Sequence, residues 1–291
     1  MIKMNRPSLI LLVGIPGSGK TTYAEKYIKE HSGTVHLSSD KIRAELWGNE
    51  ATQGDNNEVF SLMQSRAIEA LNNGQSVVYD ATNITRKDRS YIITLCPKFA
   101  KIECHIIWAP IETCIERDAA RERTVGKEVV DKMLKRFQPV WYDEGIDEIK
   151  IIRPEYFDIT KYGHQIVEAM NIPHDNPHHS LSIYDHCDKA CTIAENRKMG
   201  SDLECAAFIH DCGKPYVKAF LNNKGETSDI AHFYSHDNVG SWIAYGASNI
   251  HIAWLVGNHM GPFMNTKYYN KLPAYLKKQI DLLHECDLEA H

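Results

Sequence analysis

Hydrophobic positions in the first half of the chain fall in short continuous runs, at residues 9–13, 35–37, 76–79, 102–108 and 148–152. Between the runs lie longer stretches of helical character: from Lys20, within 58–72, from Ile111 through the arginines that follow, and over 128–137. Runs of that length read as strands buried on both faces, and their alternation with helices predicts βαβ units around a parallel sheet. In the second half the strand signature disappears. Ile183, Cys187, Ala190, Cys191 and Ala194 lie on one helical stripe, and helix-period segments take over from there. Between the halves, residues 171–179 carry two prolines among polar residues, which makes continued helix there unfavourable. The pattern predicts an α/β domain over 1–155, a linker over 156–177 and an all-α domain over 178–291.

Composition narrows the setting without choosing a function. A chain of 291 residues is long for one core, and 43% hydrophobic with 24% charged residues is ordinary for folded domains. Eight cysteines without a CxxC pair suggest reduced thiols, neither a disulfide framework nor a zinc ribbon. The apolar run at 8–13 is too short to span a membrane and leads into glycines, so no membrane partner and a cytoplasmic location are expected. A net charge of -5 argues against a surface coated in phosphate-binding charge, although a nucleic-acid end needs only a local basic patch.

The first strand runs into Gly14-Ile15-Pro16-Gly17-Ser18-Gly19-Lys20-Thr21-Thr22, and a helix follows. That is the G-x-x-x-x-G-K-[ST] loop in its proper context. Its backbone N–H groups curl around phosphate, Lys20 reaches the β/γ oxygens, and Thr21 offers a hydroxyl to Mg2+. Nucleotide and Mg2+ are therefore expected, with ATP and GTP both admitted. After the second strand, Asp40 stands at the ligand-binding edge of the sheet, either as a general base or as the N-cap of the next helix. Arg43, three residues on, suits an acceptor phosphate. Asp80 ends the third strand, where it fits a Mg2+ carboxylate or a cap. Arg86, Lys87 and Arg89 follow and suit an acceptor groove, while Arg117, Arg121 and Arg123 suit a lid over the transferring phosphate.

Together, G-x-x-G-S-G-K-T, S-x-D-x-x-R, D-A-T-N and R-x-x-x-R-x-R-x-V resemble the 5′-hydroxyl polynucleotide kinase branch of P-loop phosphotransferases, over residues 8–152. The resemblance implies that Asp40 is the base, that Arg43 grips the acceptor phosphate and that Arg123 is the catalytic lid arginine. The family lid reads Arg-Asn and Val-Pro; this chain has Arg117-Asp118 and Val125-Gly126.

Of fifteen histidines, eleven lie from His174 onward, a bias that suggests metal. His210-Asp211 ends an amphipathic stretch before Gly213 and Pro215, and imidazole with carboxylate suits a divalent first-row ion. With His186 and Asp287 this half resembles the HD phosphohydrolase superfamily. The resemblance implies a ligand set of His186, His210, Asp211 and Asp287, a second metal or phosphate contact at His236 and His259, and a phosphate-binding Lys214. A transition metal such as Mn2+, Ni2+ or Co2+ is the expected ion. His178 and His179 read equally as surface residues, and His232, His251, His284 and His291 have no motif behind them. Asp287 sits four residues from the end, on a helix that homo-oligomer contacts are expected to help order.

The residues themselves support phosphoryl transfer plus metal-dependent hydrolysis, and the resemblance supplies nucleic-acid ends as substrate, RNA favoured. The implied activity is end healing: an ATP-dependent kinase for 5′-hydroxyls joined to a hydrolase for 2′,3′-cyclic phosphates or 3′-phosphates. Two rivals remain, a nucleoside or small-molecule kinase fused to a nucleotide phosphohydrolase and a non-catalytic nucleotide sensor. A surface groove lined by Arg86, Lys87 and Arg89 favours polynucleotide, and a closed pocket favours a small acceptor.

Overall fold

The computed structural model describes residues 6–49, 54–177 and 180–290. They divide into two compact units: the chain up to Met133 with Val140–Glu155, and Leu134–Pro139 with everything from Tyr156. His178, His179 and His291 lie outside the described residues.

In the first unit β1 (Ser8–Val13), β2 (Val35–Ser38), β3 (Val77–Asp80), β4 (Lys101–Ile107) and β5 (Glu148–Ile152) form a parallel sheet of five strands in the order β2-β3-β1-β4-β5. Around it are α1 (Lys20–Glu30), α2 (Ser39–Trp47), α3 (Asn56–Asn72), α4 (Arg86–Leu95), α5 (Ile111–Ala119) and α6 (Lys127–Lys135). Central β1 explains the continuous apolar run, because both of its faces are covered. Leu9 and Leu11 pack with Leu37, Tyr79, Val59 and Met63, whereas Ile10 and Leu12 pack with Val78 and Ala24. Full burial of each such side chain is worth about 1.5–3 kcal/mol. β3 and β4 flank β1, so the chain crosses over β1 between them, and the loops at the carboxyl ends of these strands border the crevice where such sheets bind ligands.

The second unit contains α7 (Ile159–Met170), α8 (Ile183–Asn196), α9 (Ser201–Ile209), α10 (Lys214–Val217), β6 (Ala219–Leu221), β7 (Thr227–His232), α11 (His236–Ala247), α12 (Ile250–Val256), α13 (Gly261–Met264), α14 (Thr266–Tyr269) and α15 (Ala274–Glu289). α8 packs on α9 and α15, and α12 packs on α9 and α11. Two expectations change here. The unit is mostly helical but not all-α, since β6 and β7 pair as an antiparallel hairpin. The segment read as linker carries α7, which begins where Asp158 accepts hydrogen bonds from the Thr160 and Lys161 backbone and buries Tyr162, Ile166 and Met170. Pro173 and Pro177 bound that helix instead of preventing it. Phe137, 0% exposed, also belongs to this unit, its ring edge-on to Trp242 at 5.3 Å and Tyr245 at 6.0 Å. No helix among the described residues is long and apolar enough to cross a membrane.

Candidate active sites

The loop between β1 and α1 is held open by its glycines. Gly17 has φ 78°, and a Cβ there would lie 2.0 Å from the Cys114 carbonyl oxygen, so only glycine lets the loop pass α5 this closely. Gly19, at φ 102°, starts α1 without a side-chain cap, leaving first-turn N–H groups for a ligand. Ser18 Oγ is buried without a hydrogen-bond partner, an orphan that a phosphate oxygen would satisfy. Lys20 Nζ donates to the carbonyls of Gly14 (2.9 Å) and Ile15 (3.0 Å). Thr21 and Thr22 are exposed at the start of α1. These features fit a Mg2+-nucleotide.

Burial lowers the Lys20 pKa to about 8, with neighbouring Asp80 working against the shift. Bound phosphate oxygens favour the ammonium, so the proton that nucleotide binding needs is present below that pH and missing above it. Nucleotide affinity is expected to fall by up to about tenfold per unit from pH 8 to about 10. Titrating ATP onto the chain across that range checks this, and Lys20→Arg should flatten the curve.

Around the loop the structure gathers most of the predicted residues. Ser38 Oγ, not Asp40, accepts the capping hydrogen bond of α2, which leaves the Asp40 carboxylate free of that role and 53% exposed. Asp40 Oδ1 is 2.8 Å from Arg43 Nη1 and 3.5 Å from Arg123 Nη1. α5 ends at Ala119, so Arg117 lies on the helix and the other two lid arginines lie beyond it. The Arg117 guanidinium reaches the neighbourhood of Gly19, and Arg121 is near enough to Lys20 to help depress its pKa. The lid's two departures from the family pattern compensate each other. Buried Asp118 accepts from the N–H groups of Val125 (3.0 Å) and Gly126 (2.9 Å), and a proline at 126 has no N–H to give.

Asp80 is buried at the end of β3, where His36 Nε2 lies 3.2 Å from its Oδ2. The acceptor groove needs correction. Arg89 is 0% exposed, forks onto Glu144 (2.7 and 2.8 Å) and donates to the Asn83 carbonyl. Arg86 pairs with Asp143 at 2.7 Å. Arg89 therefore cannot touch an acceptor, and Arg86 is already neutralised.

In the second unit all six expected ligands converge. Asp287 Oδ1 is 2.9 Å from His186 Nε2 and 3.4 Å from His210 Nε2. Asp211 faces both ways: Oδ2 lies 3.4 Å from His210 Nε2, and Oδ1 lies 3.2 Å from His236 Nε2 and 3.9 Å from His259 Nε2. The result is two candidate metal sets, His186-His210-Asp211-Asp287 and Asp211-His236-His259, with one carboxylate in common. Each Nδ1 of His210, His236 and His259 donates to the carbonyl three residues earlier, Ala207, Phe233 and Val256 respectively. That turns every Nε2 toward the cluster, the orientation an ion needs from these rings. His236 Nε2 and His259 Nε2 face each other across 3.1 Å, beside the carboxylate. Burial and the nearby imidazoles push the His259 pKa down to about 3, so this ring stays neutral. Two imidazole nitrogens and a carboxylate oxygen gathered this closely fit a cation. Gly213 makes the second set reachable: a Cβ there would lie 2.0 Å from the His236 carbonyl oxygen, so only glycine lets α11 start this close to Asp211.

Lys214 is corrected from a phosphate contact to a buried counter-ion. It is 6% exposed, with Nζ 2.6 Å from Asp211 Oδ2 and 3.2 Å from His174 Nε2. His174 Nδ1 donates to the Leu181 carbonyl at 2.9 Å, and burial and Lys214 lower its pKa to about 4, so it accepts from the ammonium. Sequence reasoning missed His174 and His36, whose partners are distant in the chain. It also set His284 aside, although His284 precedes Asp287 by one helical turn, a spacing that puts both on one face.

Residues 9–140 match the AAA domain family and residues 178–287 match the HD domain family. The chain is similar to "Transcription factor bHLH140" of Arabidopsis thaliana, 26% identical over 149 residues, which are 48% of this chain and 15% of that protein. It is similar to L-seryl-tRNA(Sec) kinase of Methanococcus maripaludis, 24% identical over 172 residues, 55% of this chain and 65% of that one. Among solved structures, the Pnkp1/Rnl/Hen1 RNA repair complex aligns with a TM-score of 0.42 at 23% identity, over 45% of this chain and 43% of that chain. The chain spans less than two thirds of the length of the curated relatives it matches.

Proposed function

We propose, from the premise that a P-loop kinase-like domain and an HD domain share this chain, that it heals broken nucleic-acid ends, RNA above all. The first unit moves the γ-phosphate of ATP to a 5′-hydroxyl. The second hydrolyses a 2′,3′-cyclic phosphate or a 3′-phosphate, leaving ends that can be joined. The observation that carries this reading is the presence of two polar clusters of different composition in one chain: Asp40 between Arg43 and Arg123, and Asp211 between its two sets of imidazoles.

In the kinase centre Asp40 accepts the proton of the attacking hydroxyl, Arg43 holds the acceptor's phosphate, and Lys20 with Arg117, Arg121 and Arg123 offsets charge on the transferring group. Thr21 and Asp80 are the residues that would hold the Mg2+ of the nucleotide. In the hydrolase centre, divalent ions on the two ligand sets would supply an activated water and polarise the phosphoester. Asp211 orients both sets, and Lys214, braced by His174, fixes the Asp211 carboxylate.

The test is to supply γ-labelled ATP and an oligoribonucleotide with a 5′-hydroxyl and a 3′-phosphate, and to follow both ends. Label at the 5′ end with release of inorganic phosphate from the 3′ end is the expected result; neither change sinks the reading. A second reading, a kinase for a small hydroxyl compound joined to a nucleotide hydrolase, is favoured by one observation, the pairing of Arg86 and Arg89 with Asp143 and Glu144. It predicts label on nucleosides or small alcohols and none on the oligonucleotide.

A further inference from the structure

The six-ligand cluster is nearly sealed from solvent, and its most exposed member is Asp287, whose side chain is 16% exposed. His236 follows at 11%, and the other four are at 1–2%. Asp287 therefore marks the most accessible side of the cluster. On that side stands His284, its Nδ1 3.8 Å from Asp287 Oδ2. Phe263 of α13 lies against His284, with ring centroids 4.7 Å apart at 59°. Phe263 is itself 59% exposed, and its neighbour Met264 is 69% exposed.

We propose that Phe263, backed by His284, is a stacking platform for the nucleobase next to the scissile phosphate. The proposal rests on reading the second unit as a nucleic-acid end hydrolase. A phenyl ring contributes nothing to holding an ion and gains nothing from phosphate. What it offers at the rim of a phosphate-handling centre is a flat apolar face two side chains from a ligand carboxylate. At a nucleic-acid terminus a base lies one sugar away from the terminal phosphorus, and every base has a π-face. Phe263 presents one exposed ring beside the cluster, a footprint that a single base covers. His284 is a positioning residue in this arrangement: it carries the ring on one side and faces Asp287 on the other.

Two substrates separate this role from simple structural support: an oligoribonucleotide ending in a base-bearing 3′-phosphate, and the same strand with an abasic terminal residue. With the full chain and Mn2+, Phe263→Ala is expected to raise KM for the first by about tenfold, the scale of one base stacked on one aromatic ring, with the effect on KM and not kcat. Phe263→Tyr should restore it, and the gap between parent and F263A should close on the abasic strand. Equal losses on both substrates, or no change on the first, overturn the proposal. A binding readout decides the matter independently of turnover. A strand with a 5′-phosphate and a terminal 2-aminopurine bearing a 3′-hydroxyl should lose fluorescence on binding the parent and keep it with F263A; an unquenched parent also overturns the proposal. Absence of hydrolysis on either substrate, with quenching intact, would instead count against the hydrolase reading and leave the platform standing.

Discussion

Replacing Asp211 with alanine is expected to remove all phosphohydrolase activity and the metal content of both ligand sets at once. The reason is geometric: one oxygen of this carboxylate faces His210 and the other faces His236 and His259. His259→Ala, which touches one set, should cost one ion and leave the other. Metal content measured after desalting separates these outcomes, and an Asp211 variant that keeps both its metal and its hydrolysis overturns the shared-ligand assignment. Losing Asp211 also strips buried Lys214 of its counter-charge, and an uncompensated buried charge costs about 3–5 kcal/mol. Asp211→Asn combined with Lys214→Gln, which keeps the shape and removes the stranded charge, is the control that distinguishes a lost ligand from an unfolded domain. Kinase turnover should survive in both variants, because the kinase residues belong to a separate core.

Asp40→Asn is expected to lower 5′ phosphorylation by about two orders of magnitude or more while ATP still binds, since the carboxylate lies outside the phosphate loop. Arg123→Ala and Lys20→Ala should lose activity on the same scale by removing charge opposite the transferring group. Steady-state rates beside ATP titrations make the distinction. Near-normal turnover in the Asp40 variant would mean that this carboxylate only anchors Arg43 and Arg123. Because the two centres need nothing chemically from each other, an equimolar mixture of Asp40→Asn and Asp211→Ala proteins should heal both ends of one RNA.

Much of this arrangement was legible in the sequence, for identifiable reasons. A strand covered on both faces must be apolar throughout, so β1 stood out as a run, and the loop after it has a spacing that little else explains. The candidate ligand set was legible through its resemblance to an H...HD...D pattern, whose members His186, His210, Asp211 and Asp287 lie together in the fold. The errors share a cause as well. Arg89 carries the same charge and helical spacing as a solvent-facing arginine, and only Glu144, 55 residues away, shows that it is buried. Lys214 reads as a free cation until His174 and Asp211 close on it. The β6-β7 hairpin consists of exposed and half-buried positions with Ala231 alone buried, so it lacks the hydrophobic alternation that marks a strand. α7 was hidden by prolines that lie beyond its end.

Phe137 has a consequence for how such a chain can be inherited. The second unit takes six residues, Leu134–Pro139, from a stretch followed by β5, a strand of the first unit. The two heads are therefore interleaved along the sequence even though they are separate cores. A single crossover near residue 155 would deliver a second head without the ring that covers Trp242 and Tyr245, and loss of a buried phenylalanine typically costs about 3–5 kcal/mol. Neither unit can be exchanged as a cassette at one cut.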